Sequence, residues 1–405
     1  MKPIVRAGRM KPVHSDIRGP LFVEAMKRQK QGIDILKLNT GNPATFGFGL
    51  PDSIKNALME HMQDGVGYCD FKGMPQARQA ICDYETSKGI KGITPDDVFI
   101  GNGVSEVVSF ALTPLLNDGD EVLVPSPSYS LWGNSVYLED GKPVFYTCDE
   151  QANWYPDIQD IRSKITDKTK AIVIINPNNP TGVLYPKEIL LEIIQVAREF
   201  GLLIFADEIY DRLVMDGKQH ISLASLTEDV PVITLNGLSK SHCLCGYRCG
   251  WMVISGPREL TEDYRQGIIQ LTSLRLCANT MAQIVIPAAL DDMDTPTSMV
   301  RPGGRIYEQR EATVRELEKI NGLSFVKNDA AFYVFPKLDV KKFNITNDKQ
   351  FAHDLLDATN ILLVPGSGFD WKDPDHFRIV MLPQADILSD AIRRMGTFLD
   401  GYKQK

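Results

Sequence analysis

Positive charge is scarce in this chain: 44 Lys and Arg stand against 52 Asp and Glu, a formal net charge of −8. Gripping a nucleic-acid backbone takes a basic face that neutralises phosphates, so nucleic acid is excluded as the expected partner. Long apolar runs are missing as well. No run approaches the roughly 20 residues that cross a bilayer, so no membrane contact is expected. The opening Met1-Lys2-Pro3-Ile4-Val5-Arg6 has no apolar stretch of the kind a secretory leader carries. A soluble, cytoplasmic protein is the expectation. The seven cysteines, at 69, 82, 148, 243, 245, 249 and 277, are odd in number and lie mostly inside apolar runs. That pattern suits reduced thiols rather than a disulfide frame. Cys243, Cys245 and Cys249 stand close together, but the paired Cys-x-x-Cys spacing of a zinc site is lacking, so no metal is expected. Internal repeats and low-complexity tracts are absent too.

What the chain does have is bulk and rhythm. At 405 residues it exceeds one ordinary domain, so two lobes around a large core are expected. Apolar residues make up 43% and charged residues 24%, the balance of a globular protein. Residues 1–19 are polar and punctuated by Pro3, Pro12 and Gly19, which predicts an arm with no core of its own. A helix at 21–31 and a strand at 35–38 follow, and Pro51 opens another helix. From Asp97 the pattern alternates: strands at 98–100, 121–125, 144–147, 171–175, 202–206, 232–235 and 251–254, with helices at 104–116, 129–138 and 188–200 among them. Continuous Val/Ile/Leu strands separated by helices mean an α/β fold, its sheet mostly parallel and covered by helices on both faces. Helical patterns fill 257–320. Shorter strands at 331–335, 361–364 and 377–381 and a closing helix at 385–399 then predict a smaller α+β domain. The expected layout is an arm at 1–45 that joins the small domain, a large domain at 46–295 and the small domain at 296–405.

Several motifs fall where strands of the large domain end. Val232-Ile-Thr-Leu-Asn-Gly-Leu-Ser239-Lys240 places an ammonium after a buried strand, where it needs water, a partner or a chemical use. Consumption of the amine as a Schiff base with an aldehyde cofactor is such a use. Arg248, eight residues on, suits a phosphate; two ordinary surface cations is the competing reading. Gly101-Asn-Gly103-Val104-Ser105 opens a helix whose free N–H groups form an anion site, or an ordinary tight turn. Glu106 stands where a dinucleotide fingerprint would have its third glycine, so a simple phosphate fits better. Asn176-Pro-Asn-Asn179-Pro180-Thr-Gly182 is a stiff turn able to aim an amide at a ligand. Asp207 directly follows the apolar strand 202–206. A protonated pyridine nitrogen would satisfy that carboxylate and Tyr210 would reach a phenolic oxygen beside it, while a helix N-cap is the plain alternative. Tyr129 offers a ring for stacking. Arg378, inside Phe377-Arg-Ile-Val-Met381, calls for a carboxylate: that of a substrate, or a structural Asp or Glu.

Together with Asp16-Ile-Arg-Gly-Pro20, Leu38-Asn-Thr-Gly41-Asn-Pro43 and Pro302-Gly-Gly-Arg-Ile-Tyr-Glu-Gln-Arg310, these residues resemble the class I/II, fold type I pyridoxal-phosphate aminotransferases. The likeness covers nearly the whole chain and looks most like the alanine aminotransferase branch. It implies an enzyme carrying an amino group from an L-amino acid, alanine by preference, to 2-oxoglutarate by a ping-pong mechanism. It implies that Lys240 binds pyridoxal 5'-phosphate covalently and then shuttles a proton, with the positive charge of Arg378 and Arg248 lowering the pKa of the Schiff base. Asp207 pairs with the pyridine nitrogen, Asn179 and Tyr210 meet the phenolic oxygen, and Tyr129 stacks on the ring. Gly103, Val104, Ser105 and Arg248 surround the phosphate, and Ser239 also contacts the cofactor. Gly41, Asn179 and Arg378 hold the substrate carboxylate. A homodimer is implied, with Tyr68 completing the neighbouring subunit's site, as are cis bonds at Ser126-Pro127 and Asn179-Pro180.

The chain departs from the branch at Ser15, where a tyrosine is usual, at Cys243, where bacterial members commonly carry arginine, and in Ser128-Tyr129-Ser130. Arg275 lies near where aspartate-specific enzymes present a second arginine, but reads more simply as structural. An aspartate or broad-specificity aminotransferase and a pyridoxal-phosphate C–S lyase stand as alternatives on the same scaffold.

Overall fold

The computed structural model describes residues 2–405. An eight-stranded sheet organises the middle of the chain. Its strands are β1 (Val98–Gly101), β2 (Glu121–Ser126), β3 (Lys142–Asp149), β4 (Tyr155–Pro156), β5 (Thr169–Ile175), β6 (Leu203–Asp207), β7 (Val232–Gly237) and β8 (Gly250–Ser255). Their spatial order is β1-β8-β7-β6-β5-β2-β3-β4. Neighbours β3–β2, β2–β5, β5–β6 and β6–β7 run parallel, and β8 is antiparallel to both β7 and β1. The chain is thus α/β with a mostly parallel sheet.

Side chains alternate across a strand, and here the alternation sorts two cores. Val122, Val124, Val173, Phe205, Ile233 and Leu235 face one layer, where α1 (Val104–Leu112), α2 (Leu131–Leu138) and α4 (Arg258–Arg275) pack through Val108, Trp132 and Ile268. Leu123, Ile172, Ile174 and Ile204 face the other, against Leu190, Ile193 and Ala197 of α3 (Lys187–Phe200). Each fully buried aliphatic side chain contributes about 1.5–3 kcal/mol, so two filled faces explain why the strands read as continuous apolar runs.

A three-stranded antiparallel sheet lies downstream: β9 (Tyr333–Val334), β11 (Phe377–Val380) and β10 (Val364–Pro365), with β11 central. It packs with α5 (Arg305–Leu317) and α6 (Ala385–Gly401) around Leu317, Phe351, Phe377, Ile379, Leu388 and Met395. The early strand Leu36–Lys37 pairs in parallel with Ile361–Leu362, which brings Leu38 into this second core.

Boundaries differ from the sequence expectation where a local bond intervenes. Helix α1 ends at Leu112 rather than 116, because Pro114 has no N–H to continue it. Helix α2 starts at Leu131 rather than 129, because Ser128 donates its N–H to the Phe369 carbonyl (2.9 Å) and holds that stretch as a loop. The strand expected at 331–335 shortens to Tyr333–Val334, since Ala331 lies at φ 58° and gives its N–H to Leu213. The cis bonds are Ser126–Pro127, as expected, and Asn176–Pro177; the second corrects the expectation at Asn179–Pro180. The two Asn-Pro steps are alike in sequence, and Asn178 folding back onto Val183 (2.8–3.0 Å bonds close Asn178–Gly182 and Asn178–Val183) distinguishes them only in three dimensions. No single helix among the described residues is long and apolar enough to cross a membrane.

Candidate active site

Parallel strands deliver whatever follows them to one edge of the sheet, and crevices at that edge are where such sheets bind ligands. Register fixes the alignment: Ile175 lies beside Asp207, and Asp207 beside Leu235. The Asn176 turn, Asp207 and the one-turn helix Leu238–Ser241 that carries Ser239 and Lys240 therefore emerge side by side.

The Lys240 Nζ donates to the Gly41 carbonyl (3.0 Å) and lies 3.9 Å from the Cys245 Sγ and 5.9 Å from the Phe332 ring centre. Burial lowers its pKa, but neighbouring Tyr333, Cys245 and Tyr129 outweigh that and hold the free amine above the ordinary lysine value; Arg378 opposes them weakly. The lowering foreseen for the Schiff base thus does not extend to the free amine. Gly41 must be glycine, since a Cβ there would run into the Tyr333 hydroxyl and ring.

Asp207 is buried and receives the indole N–H of Trp132 on Oδ2 at 3.0 Å, with a long bond from the Ile209 N–H (3.4 Å) on Oδ1. Burial pushes its pKa up to about 6, partly offset by the Trp132 bond. Among the described residues no Lys, Arg or His forms an ion pair with it. Three residues on, the Tyr210 hydroxyl meets that of Tyr333 at 2.9 Å.

Arg378, on β11, is 1% exposed. Its Nη1 donates to the Asn179 Oδ1 (2.9 Å), its Nη2 to the Asn39 carbonyl, and its Nε has no partner. The guanidinium lies 4.6 Å from the ring centres of both Tyr333 and Phe369. Burial lowers its pKa. No carboxylate answers its charge among the described residues, a costly arrangement unless an anion arrives from outside.

The remaining expected positions cluster at the start of α1. Gly103 sits at φ 86°, and a Cβ on it would collide with the Arg248 guanidinium, so that guanidinium lies against the Gly103–Val104–Ser105 turn. Arg248 is itself braced by its Nη1 on the Cys245 carbonyl (3.0 Å). Tyr129 precedes α2, where the neighbouring Ser128 Oγ is buried without a partner. Tyr68 does not join the cluster. It is 84% exposed, in a groove with Val66, Cys277 and Thr280.

Sequence reading missed Trp132 and Tyr333. Trp132 could have been caught as a large aromatic three residues after Tyr129; Tyr333 had no local signal, arriving from a strand 123 positions beyond Tyr210. Arg275 is structural: its Nη1 pairs with Glu106 at 2.6 Å and its Nη2 caps the Phe71 and Ile100 carbonyls. Two carboxylate–histidine clusters have metal-like spacing, but Arg28 bridges Glu24 and Asp357 in one, and the Lys88 Nζ sits 2.7 Å from Glu208 and 3.1 Å from Asp211 in the other.

A lysine, an unpaired buried carboxylate, a helix start backed by an arginine and an anion-free buried arginine form one chemical set. Residues 33–392 match the family model for aminotransferase class I and II. The chain belongs to that family. Members of this family depend in general on pyridoxal phosphate, and the chain is an aminotransferase. It is 49% identical over 404 residues to the glutamate-pyruvate aminotransferase AlaA of Haemophilus influenzae, with 100% of each chain covered. It is 45% identical to an alanine aminotransferase of Mycobacterium bovis, covering 100% of this chain and 94% of that one. Among solved structures it superposes on an aminotransferase from Escherichia coli with a TM-score of 0.98 at 46% identity, each chain covered in full. An alanine aminotransferase from Pyrococcus furiosus gives 0.93 at 41% identity, covering 98% of this chain and 100% of that one. The aminotransferase class, the alanine branch and the fold read from sequence all stand.

Proposed function

We propose that this protein transfers the amino group of L-alanine to 2-oxoglutarate, and in reverse that of L-glutamate to pyruvate, by a ping-pong mechanism on pyridoxal 5'-phosphate. The observation that carries the reading is Arg378: a guanidinium 1% exposed, clamped between two aromatic rings, with one unpartnered nitrogen and no internal acid. An α-carboxylate, common to both amino acids and both oxo acids, suits that fork. The names of the relatives, which pair glutamate with pyruvate or specify alanine, support this donor and acceptor.

The residues present fit the cofactor. Lys240 would hold it covalently, Asp207 would face its pyridine nitrogen, and the Asn179 amide and Tyr210 hydroxyl would meet its phenolic oxygen. Tyr129 would lie against the ring, and Gly103, Val104, Ser105, Ser239 and Arg248 would take the phosphate. Bound there, pyridoxal phosphate supplies an electron sink that makes the substrate Cα–H acidic. The protein's part is positional and acid–base. Arg378, aided by Asn179 and the Gly41 backbone, orients the carboxylate so that the Cα–H points toward Lys240. The Lys240 Nζ takes the proton from Cα and holds it, with the Gly41 carbonyl as its resting acceptor. The Asp207 carboxylate would favour a proton on the pyridine nitrogen it faces. We further propose that residues 46–295 form the cofactor-holding domain, residues 1–45 and 296–405 the arm and smaller domain, and that two copies assemble with Tyr68 of the partner subunit reaching the phosphate.

The test is turnover of alanine with 2-oxoglutarate, following pyruvate and glutamate in equal amounts. Lys240→Ala should lower the rate by orders of magnitude while the protein stays folded. Near-normal turnover in that variant, or release of pyruvate and ammonia from cystathionine with no oxo acid present, would end the proposal.

A further inference from the structure

Asp207 has one short side-chain donor, and the residue supplying it takes no part in the mechanism above. Trp132 is the second residue of α2, fully buried, with its Nε1 3.0 Å from the Asp207 Oδ2. Its ring is packed on Phe205 (centres 5.3 Å apart, planes at 38°). Phe205 stands two residues before Asp207 on β6, so by the period of a strand both side chains leave the same face. The indole is therefore wedged over the strand face from which the carboxylate projects. Turning it away would break both the packing and the bond.

We propose that Trp132 is a positioning residue for the cofactor: its indole N–H occupies the Asp207 Oδ2, fixes the plane of the carboxylate in its charged form and leaves Oδ1 for the pyridine nitrogen. The inference rests on the reading of Asp207 as the partner of that nitrogen. Three features support it. The bond to Oδ1 is long, 3.4 Å from the Ile209 N–H, so that oxygen has capacity left. An indole nitrogen donates and does not accept or titrate near neutral pH, so Trp132 favours the charged carboxylate without exchanging a proton with it. Burial, the largest influence on Asp207, and Glu208 favour the neutral acid, while the two N–H donors, Trp132 first, and Lys240 favour the anion; Tyr210 lies beside it. With burial pushing the carboxyl up to about 6, the loss of one donor decides whether it is charged at neutral pH.

The experiment uses full-length protein freed of cofactor, with pyridoxal phosphate titrated in by calorimetry between about pH 5 and 9. Wild-type affinity should weaken as pH falls through a break near 6, where Asp207 takes up its proton. Trp132→Phe, which keeps an aromatic ring and removes the donor, should move that break up by roughly one to two pH units and weaken binding near neutral pH by roughly tenfold or more. Asp207→Asn should abolish the break. If Asp207→Asn binds and titrates as wild type does, the assignment of Asp207 fails. If that variant loses the break while Trp132→Phe keeps it at the wild-type position, the role of Trp132 fails alone. Should the tryptophan variant not fold, cofactor-free wild type supplies the answer. The Trp132 indole proton should show a pH-dependent NMR shift that follows the Asp207 titration and vanishes in Asp207→Asn; an indole signal indifferent to pH would overturn the proposal.

Discussion

A buried charge without its counter-charge is a stability cost that function must justify, and two residues here carry one. Asp207 has its pKa raised from 3.8 to about 6 by burial. A carboxyl with a raised folded-state pKa binds its proton more tightly when folded, so it withdraws stability as pH rises from about 4 to 6 and leaves the folded state weaker above that window. At pH 7 the loss is about 3 kcal/mol for a gap of that size. Cofactor-free Asp207→Asn should accordingly melt several degrees above cofactor-free wild type at neutral pH, with the difference disappearing near pH 4. A thermal melt series across pH checks this, and equal melting at neutral pH would show that the carboxylate is not penalised. Arg378 is the complementary case. Lysine keeps its charge but loses the planar fork, so Arg378→Lys should raise KM for alanine and for 2-oxoglutarate together, by roughly tenfold or more, with a smaller effect on kcat. Steady-state kinetics with each substrate varied in turn tests it; a KM change for one substrate alone would place the carboxylate elsewhere. Both residues were visible in sequence because a charge inside an apolar strand has few plain explanations. Trp132 and Tyr333 were passed over because a large aromatic in an apolar context is what any core contains; only the spacing of Trp132 from Tyr129 set it apart.

Elements were legible in proportion to how fully they are buried. The strands of the central sheet are covered on both sides, so their sequences are continuous apolar runs, and Val232–Gly237 and Thr169–Ile175 were read to within two residues, as 232–235 and 171–175. The short strands Tyr333–Val334 and Val364–Pro365 could only be placed approximately, since their limits are set by bonds to distant backbone such as the Ala331 N–H to Leu213. Hidden entirely was the contact that locks the helix Pro75–Ser87 to the end of β6. Lys88, at that helix's C-cap, places its Nζ 2.8 Å from Glu85, 2.7 Å from Glu208 and 3.1 Å from Asp211, all buried. The site's Asp207 is the immediate neighbour of Glu208, so this cluster anchors the turn that presents it. Removing the ammonium that pairs with all three leaves three buried carboxylates facing one another, with only His220 and Arg212 still close by. Lys88→Met should therefore cost about 3–5 kcal/mol at neutral pH. Lys88 pulls the carboxyls of Glu85 and Asp211 down against their burial, so without it both rise and the deficit should shrink as pH falls toward 5. Denaturant unfolding of both proteins at pH 7 and near pH 5 tests the sign; a deficit independent of pH would mean that lost packing, not charge, is responsible.

At the scale of the whole molecule, one expected site residue stands apart from the others. Tyr68 is 84% exposed, and near it Val66, Met62 and Met59 are also exposed, at 76%, 55% and 69%. The same open groove holds Cys277 and Thr280, and α4 ends close by with Leu274 82% and Leu276 53% exposed. Exposed apolar side chains scattered singly need no explanation, but this many on adjoining segments are what the proposed dimer would cover. A twofold dimer places each such patch against its own counterpart, so an exposed residue on it can serve the partner's site. Complementation tests this without any structure of the dimer. Lys240→Ala lacks the reacting amine in its own subunit but still offers Tyr68 to its neighbour; Tyr68→Asp keeps the amine but sets a like charge against its neighbour's phosphate. Each variant alone should be nearly inactive. In a mixed dimer one site combines the intact Lys240 of one subunit with the intact Tyr68 of the other, and the second site carries both defects. Random assortment of equal amounts makes half the dimers mixed, so about one quarter of wild-type activity should return on co-expression. If Tyr68 instead served its own subunit, every site in the mixture would carry one defect and no activity would return, whatever the proportion of mixed dimers.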